Sequence, residues 1–430
     1  MNAFVRACRH ALALGVSGLL LTPAWGAPLP MPYPADLPPA ALVARILDTH
    51  PDVLAAGENL GAEEARRERR RAGPHEWNVR LTQQQRSVRG IPDQRYAETA
   101  LGLERSLRLP GKARLDAALG DESVRGARMA QEDMRHETAR RLLADWFEWR
   151  RAHITRNEWL QQRDLLARQA AAVGRREQLG DAPRLERLQA QAALAQAEAQ
   201  LSQAQEALAT LEARLPLEYP GLTLSLQTEP APGMLPPLAG DGETWTAEVL
   251  NHNHALSLAR SESARARLEA ARSDAERLPD PTLGIQLARE RAGEERILGV
   301  SLSIPLPGAG RQADVATTGA LARAAAQKEA ALLRRLQGEA RGVYQHYLGS
   351  RAAWQRQAQA AEALEASARI TEKAWSLGEG SLSDTLQARR LAHEARLAER
   401  LAALEARESQ LRLLVDAHRL WGDDDEPAAP

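Results

Sequence analysis

The chain carries one long pattern twice, about 198 residues apart, so its fold has to hold two copies of a single unit. Leu107-Arg108-Leu109-Pro110-Gly111-Lys112-Ala113-Arg114 returns as Ile304-Pro305-Leu306-Pro307-Gly308-Ala309-Gly310-Arg311. Leu179-Gly180-Asp181, followed by Leu188-Gln189-Ala190, returns as Leu377-Gly378-Glu379, followed by Leu386-Gln387-Ala388. Between these marks, Ala144-Asp145-Trp146-Phe147-Glu148-Trp149 stands where Gly342-Val343-Tyr344-Gln345-His346-Tyr347 stands in the second half. The offset holds to within about one residue at all three places, so the halves share an architecture and not only a turn. Two long copies that must pack side by side point to a pseudo-symmetric assembly.

Composition says what the unit is made of. Only two Phe occur in 430 residues, aromatics are 4%, and 26% of the chain is charged, with Ala, Leu, Arg, Glu and Gln abundant. That is the profile of long helices packed on small side chains. The net charge of −1 gives no reason to expect nucleic acid or an anionic surface as a partner.

The N-terminus reads as a secretory signal peptide over residues 1–26. Arg6 and Arg9 precede an apolar run from Ala11 to Leu21, and Ala24-Trp25-Gly26-Ala27 supplies small residues for cleavage after Gly26 or Ala27. The run is too short to span a bilayer. The single cysteine, Cys8, would leave with it, and the mature chain would have no thiol, disulfide or cysteine metal site. No other stretch is long enough for a transmembrane helix, so insertion into a membrane would have to use strands.

The first repeat is placed at 27–215. Pro28 to Pro39 is too proline-rich for a helix and reads as extended chain. Helix follows from about Ala40 to Arg71, ended by Gly73-Pro74. The period then changes to two. Trp77, Val79 and Leu81 alternate with polar residues and, after a turn at Gly90-Ile91-Pro92-Asp93, so do Leu101, Leu103, Leu107 and Leu109. This predicts a hairpin over about 76–109 with one apolar face. A proline-free rod runs from Lys112 to about Arg176, roughly 90–100 Å at about 1.5 Å per residue. Leu179-Gly180-Asp181-Ala182-Pro183 breaks it, and a helix from Arg184 to about Leu215 closes the unit.

A proline- and glycine-rich connector occupies 216–242, and the second repeat, 243–422, restarts the cycle. Trp245 to Arg277 reads as helix. A hairpin follows over about 282–305, with Leu283, Ile285 and Leu287, then Leu298, Val300, Leu302 and Ile304, on its apolar face. A second rod runs from Arg311 to Leu377, then a Gly378-Glu379-Gly380 turn and a last helix to about Trp421. Residues 423–430 form an acidic tail expected to be disordered.

Four strands of about ten residues match transmembrane β-strands in length. Four cannot close a barrel, and lipid does not tolerate open edges. Completion by two further copies gives about twelve strands, enough for a water-filled lumen. The other outcome weighed is two soluble hairpins packed on helices.

On the two Leu-Pro-Gly turns, on Pro279-Asp280-Pro281-Thr282-Leu283-Gly284 and on the paired Leu-Gly turns, the chain resembles the TolC-like outer-membrane efflux factors. Within them it most resembles the outer-membrane component of heavy-metal (cobalt-zinc-cadmium type) resistance-nodulation-division pumps. The resemblance covers essentially the whole mature chain. It implies a mainly α fold with a membrane β part: a long α-helical barrel in the periplasm, and four strands per chain in a 12-stranded homotrimeric barrel in the outer membrane of a Gram-negative bacterium. The strand-to-helix turns would be Leu109, Pro110 and Gly111, with Leu306, Pro307 and Gly308. Leu179, Gly180, Asp181, Leu377, Gly378, Glu379 and Gly380 would form the tips that meet a periplasmic adaptor linked to the inner-membrane pump. Trp77, Val79, Leu81, Leu101, Leu103, Leu107, Leu283, Ile285, Leu287, Leu298, Val300 and Leu302 would face lipid.

The family closes its duct with aspartates on the helix after the second tip. Asp384 falls on the first of those positions, and Gln387 on the second. Trp375 takes the aromatic position of the gate link, where Gly380 replaces the expected arginine. Three copies of Asp384 around an axis would favour cations in a narrow mouth. Its plain alternative is a residue that caps or solvates the helix start.

His252 and His254 are read on one helix, where positions two apart face different ways and cannot easily share an ion. His50, His136, His153, His346, His393 and His418 look scattered. No metal site and no cofactor are expected. Arg66-Arg67 with Arg69-Arg70-Arg71 reads as a helix end with favourable dipole interactions, the alternative being a place near phosphate head groups. No phosphate loop, paired catalytic carboxylates or activated nucleophile appears, so nothing points to an enzyme. A passive efflux duct follows, with metal cations as the cargo. The rivals are a type I secretion or organic-compound duct of the same architecture and, in another class, a soluble periplasmic coiled-coil scaffold.

Overall fold

A computed structural model of the chain describes residues 33–225 and 237–422. The expected signal peptide, the start of the proline-rich segment after it, the middle of the connector and the acidic tail lie outside the described residues. The element order repeats as the sequence does. Short helices α1 (Ala40–Thr49) and α2 (Pro51–Ala72) precede strands β1 (Asn78–Val88) and β2 (Gln94–Ser106), then the 69-residue α3 (Pro110–Gln178) and α4 (Arg184–Glu218). The second half runs α5 (Gly242–Asn251), α6 (His254–Ala275), β3 (Thr282–Glu290), a 3-10 turn at Arg291–Gly293, β4 (Glu295–Ser303), the 68-residue α7 (Ala309–Ser376) and α8 (Leu382–Asp416). At about 1.5 Å per residue each rod is about 100 Å long.

Several boundaries differ from the sequence expectation, among them the end of α8, at Asp416 where about Trp421 was expected. The helix expected from Ala40 to Arg71 is two helices, because His50 is extended (φ −64, ψ 133) ahead of Pro51; the proline ring disfavours the helical conformation in the residue before it. The helix expected from Trp245 likewise breaks at His252, and Asn253 restarts it by accepting the Leu256 N–H on its side chain at 2.8 Å. The connector begins later than Pro216, which sits inside the last turn of α4. Fully buried Leu215 and Tyr219, 1% exposed, hold that turn on the core and offset the backbone hydrogen bond that Pro216 cannot donate.

The four strands form one antiparallel sheet in the order β1-β2-β3-β4. Its register separates two faces. Val79, Leu103, Ile285 and Val300 form one cross-strand row, and Leu81, Leu101, Leu287 and Leu298 the next, all on one face and all exposed. The opposite face is polar: Arg80 pairs with Glu104 at 3.0 Å, and Arg86 bridges Glu98 and Glu290, each at 3.1 Å. Trp77 and Leu107, expected within strands, flank them instead. Both are exposed, and Leu107 donates its N–H to the Pro281 carbonyl at 2.8 Å.

The core lies midway along the rods, not under the sheet. Trp146, Phe147 and Trp149 of α3 pack there with Val43, Ile46 and Leu47 of α1, Leu211 and Leu215 of α4, Trp245 of α5, Tyr347 of α7 and Leu411 of α8. Asp36 ties the chain ahead of α1 to this core, with Arg150 at 3.1 Å and Arg407 at 2.7 Å.

Candidate channel: junction, tips and gate

Where strands become helices, the quoted motifs meet one another. Asp280, just ahead of β3, takes the Leu109 backbone N–H at 3.2 Å, Lys112 Nζ at 3.0 Å and His75 Nε2 at 2.9 Å. A carboxylate at the start of α3 offsets the unpaired N–H groups and the positive end of the helix dipole. Burial pushes Asp280 up, but these donors outweigh it and hold its carboxyl below the ordinary value. Leu109 is the N-cap of α3, with Pro110 in its first turn, where a missing N–H costs nothing. The second copy differs: α7 starts two positions later in the motif, with Gly308 as N-cap and Pro307 before it. The arginine run at the end of α2 is largely paired. Arg71 meets Asp121 at 2.9 Å, Arg67 meets Glu68 at 3.2 Å, and the Arg70 and Arg71 carbonyls accept from Arg108.

At the far ends of the rods the two turns are built alike. Gly180 is left-handed (φ +82), its N–H donates to Glu177 O at 2.9 Å, and Asp181 donates to Arg176 O at 2.8 Å. Gly378 (φ +81) donates to Trp375 O at 3.0 Å, and Glu379 to Ala374 O at 2.9 Å. Both are Schellman closures, which require a residue at ease with positive φ. Leu179 and Leu377 project at these ends, 79% and 66% exposed.

The gate candidates divide. Asp384 and Gln387 lie exposed on one face of α8, and Arg390 donates to Gln387 Oε1 at 3.0 Å. Trp375 is not on that face. It is part-buried beside Val173, Ala190 and Leu382, with the Arg176 guanidinium 5.4 Å from its ring centroid. Gly380 is packed so closely that a Cβ there would stand 3.1 Å from the Trp375 nitrogen. The Asp384 N–H donates to Ser381 Oγ at 3.0 Å, so Asp384 sits in the first turn that Ser381 caps.

Two histidines read as scattered, His136 and His418, are gathered by the fold with His252 and His254. His136 stacks on His418 with centroids 4.5 Å apart; His254 meets His418 edge-on at 4.7 Å, and His252 lies 5.8 Å from it. The break at His252 undoes the premise that His252 and His254 share one helix. Burial, then Arg140 and the neighbouring imidazoles, pushes His136 down to about 2. Among the described residues, no three of His, Cys, Asp and Glu are disposed to hold a metal ion. No helix among them is long and apolar enough to cross a membrane.

No family model and no curated protein matches the sequence. Solved structures do. The outer-membrane channel OprN superposes with a TM-score of 0.77 at 19% identity, over 89% of this chain and 90% of that one. The Campylobacter jejuni CmeC outer membrane channel gives 0.74 at 14%, over 90% and 86%. CusC, described by its folding and transmembrane channel formation, gives 0.67 at 15%, over 94% and 99%. Along nearly its whole length, the chain has the fold of the TolC-like outer-membrane channels.

Proposed function

We propose that this chain is the passive exit duct of a tripartite efflux pump, closed as a homotrimer in a Gram-negative outer membrane, and that heavy-metal cations are its cargo. One observation carries the reading: a four-stranded sheet with one face apolar and exposed, and with β1 and β4 each leaving an edge free within the chain. Apolar surface of that extent belongs in lipid, and open strand edges do not. Pairing β4 of one copy with β1 of the next removes both edges and encloses about twelve strands. The polar face then lines a wet lumen, continuous with the space between the rods.

The Schellman-closed ends of the rods are the surfaces offered to a periplasmic adaptor, and an inner-membrane resistance-nodulation-division pump supplies the energy. The duct itself only opens and closes, with Asp384 and Gln387 at its mouth. The choice of cargo rests with the pump, and the metal assignment is supported by the resemblance of the motifs quoted above. Light scattering on the detergent-extracted particle tests the duct: a protein mass near three mature chains is expected. A monomer recovered without detergent would replace it with a soluble scaffold. Loss of zinc, cobalt and cadmium tolerance on deletion tests the cargo, and sensitivity to organic compounds alone would reassign it.

A further inference from the structure

The net charge of −1 conceals a segregation of charge across the sheet. All four carboxylates of the strands, Glu98, Glu104, Glu290 and Glu295, stand on the polar face with Arg80 and Arg86. The apolar face has no carboxylate. Directly beyond its row Leu81, Leu101, Leu287, Leu298, the next row is Gln83, Thr99, Arg289 and Arg296. Arg289 and Arg296 are register partners across β3 and β4, both are exposed, and neither takes part in an ion pair or hydrogen bond among the described residues. Arg95 lies farther out on the same face.

Two like charges directly opposite on one face, with Cβ atoms about 5 Å apart, repel one another. On the polar face each arginine has a carboxylate beside it, so the bare pair is particular to this face. Guanidinium groups at that spacing suit a phosphate, which can accept two-pronged hydrogen bonds from each. The apolar rows below offer room for acyl chains.

We propose that Arg289 and Arg296 hold the phosphate head group of an acylated lipid against the outside of the barrel. The inference rests on the duct reading. The row lies next to the β3–β4 connection, at the end of the sheet away from the helices, so in a duct with its helices in the periplasm the lipid belongs to the outer leaflet.

The test is native mass spectrometry of the full-length trimer, exchanged into neutral detergent and titrated with diphosphorylated lipid A, its dephosphorylated form, or inorganic phosphate. The wild type is expected to retain the diphosphorylated lipid. Arg289→Gln with Arg296→Gln should weaken that retention by on the order of tenfold. Arg289→Lys with Arg296→Lys, which keeps the charge but loses the two-pronged geometry, should retain the lipid at a level between the two, and Arg80→Gln, on the other face, should match the wild type. Equal retention by the double glutamine variant, or equal binding of the dephosphorylated lipid, would overturn the proposal. Binding of inorganic phosphate in preference to the lipid would overturn the lipid as its ligand. A wild-type protein that is monomeric and needs no detergent would instead remove the duct reading beneath it.

Discussion

Lys112 of the first repeat and Asp280 of the second are joined at 3.0 Å, with the lysine side chain 1% exposed. Lys112 also reaches Glu276 at 3.0 Å, and Arg311, at the start of α7, reaches the same carboxylate at 3.0 Å. The starts of both rods are thus clamped to the segment that enters β3. This gives the Leu-Pro-Gly-Lys and Pro-Asp-Pro motifs a common physical purpose, fixing the angle at which strands pass into helices.

Lys112→Met should therefore cost about 2 kcal/mol, since removing the buried lysine leaves the part-buried Asp280 and Glu276 carboxylates short of their counter-ion. The loss should be local at first. Amide exchange at Leu109 and in the first turn of α3 should quicken, while the amides around Trp146 and Trp149 stay protected. Uniform loss of protection along α3 would show that the junction does not act as a separate clamp.

The rods, the hairpins and both tips were legible because each rests on local periodicity or on a glycine that only one conformation explains. Gly180 and Gly378 marked the ends of α3 and α7 to within a residue or two. The helix breaks at His50–Pro51 and His252–Asn253 had local signals too, a residue ahead of proline and an Asn able to cap. Both were overridden by the strength of the helical composition around them. The histidine cluster had no such signal. His136, His254 and His418 come from three distant segments, and only the packing of α3, α6 and the chain after α8 brings them together. Trp375 was placed by motif position, and the structure sets it against Arg176 from the other repeat, a contact between segments distant in sequence.

That histidine cluster should make the middle of the molecule acid-sensitive. His136 stays neutral in the folded chain down to about 2, held there by burial, by Arg140 and Arg412, and by His418 and His254, although Asp416 lies 3.8 Å away. In the unfolded chain it takes a proton near pH 6.5. The unfolded state then binds more protons below that pH, so the contribution is complete above it and shrinks as pH falls. Between pH 7.5 and 5.5 the loss is about 1.4 kcal/mol. Hydrogen exchange across α5 and α6 at the two pH values should show it, and His136→Gln should flatten the difference. An unchanged difference in the variant would assign the sensitivity elsewhere.

The two tip glycines should behave alike. Neither has any atom within 4 Å of where a Cβ would stand, so an alanine there meets only backbone strain. Gly180→Ala and Gly378→Ala should each cost about 1 kcal/mol, the penalty for a left-handed residue with a side chain. Faster exchange at Asp181 and Glu379, whose N–H groups close the turns, is the direct readout. A large global loss of stability from either variant would contradict the open surroundings.

Under the proposed duct, Asp384 makes two separable contributions. As a first-turn carboxylate it interacts with the helix dipole, worth about 0.5 kcal/mol. In a closed trimer, three copies around one axis would draw cations into the lumen. Asp384→Asn keeps the shape and removes the charge, while the Ser381 hydroxyl still accepts the residue-384 N–H. The variant should fold and assemble as before, and its cation preference in planar bilayers should fall. Equal reversal potentials for variant and wild type under a salt gradient would reduce Asp384 to a helix-start residue, and the gate would have to be sought elsewhere along the lumen face of α8.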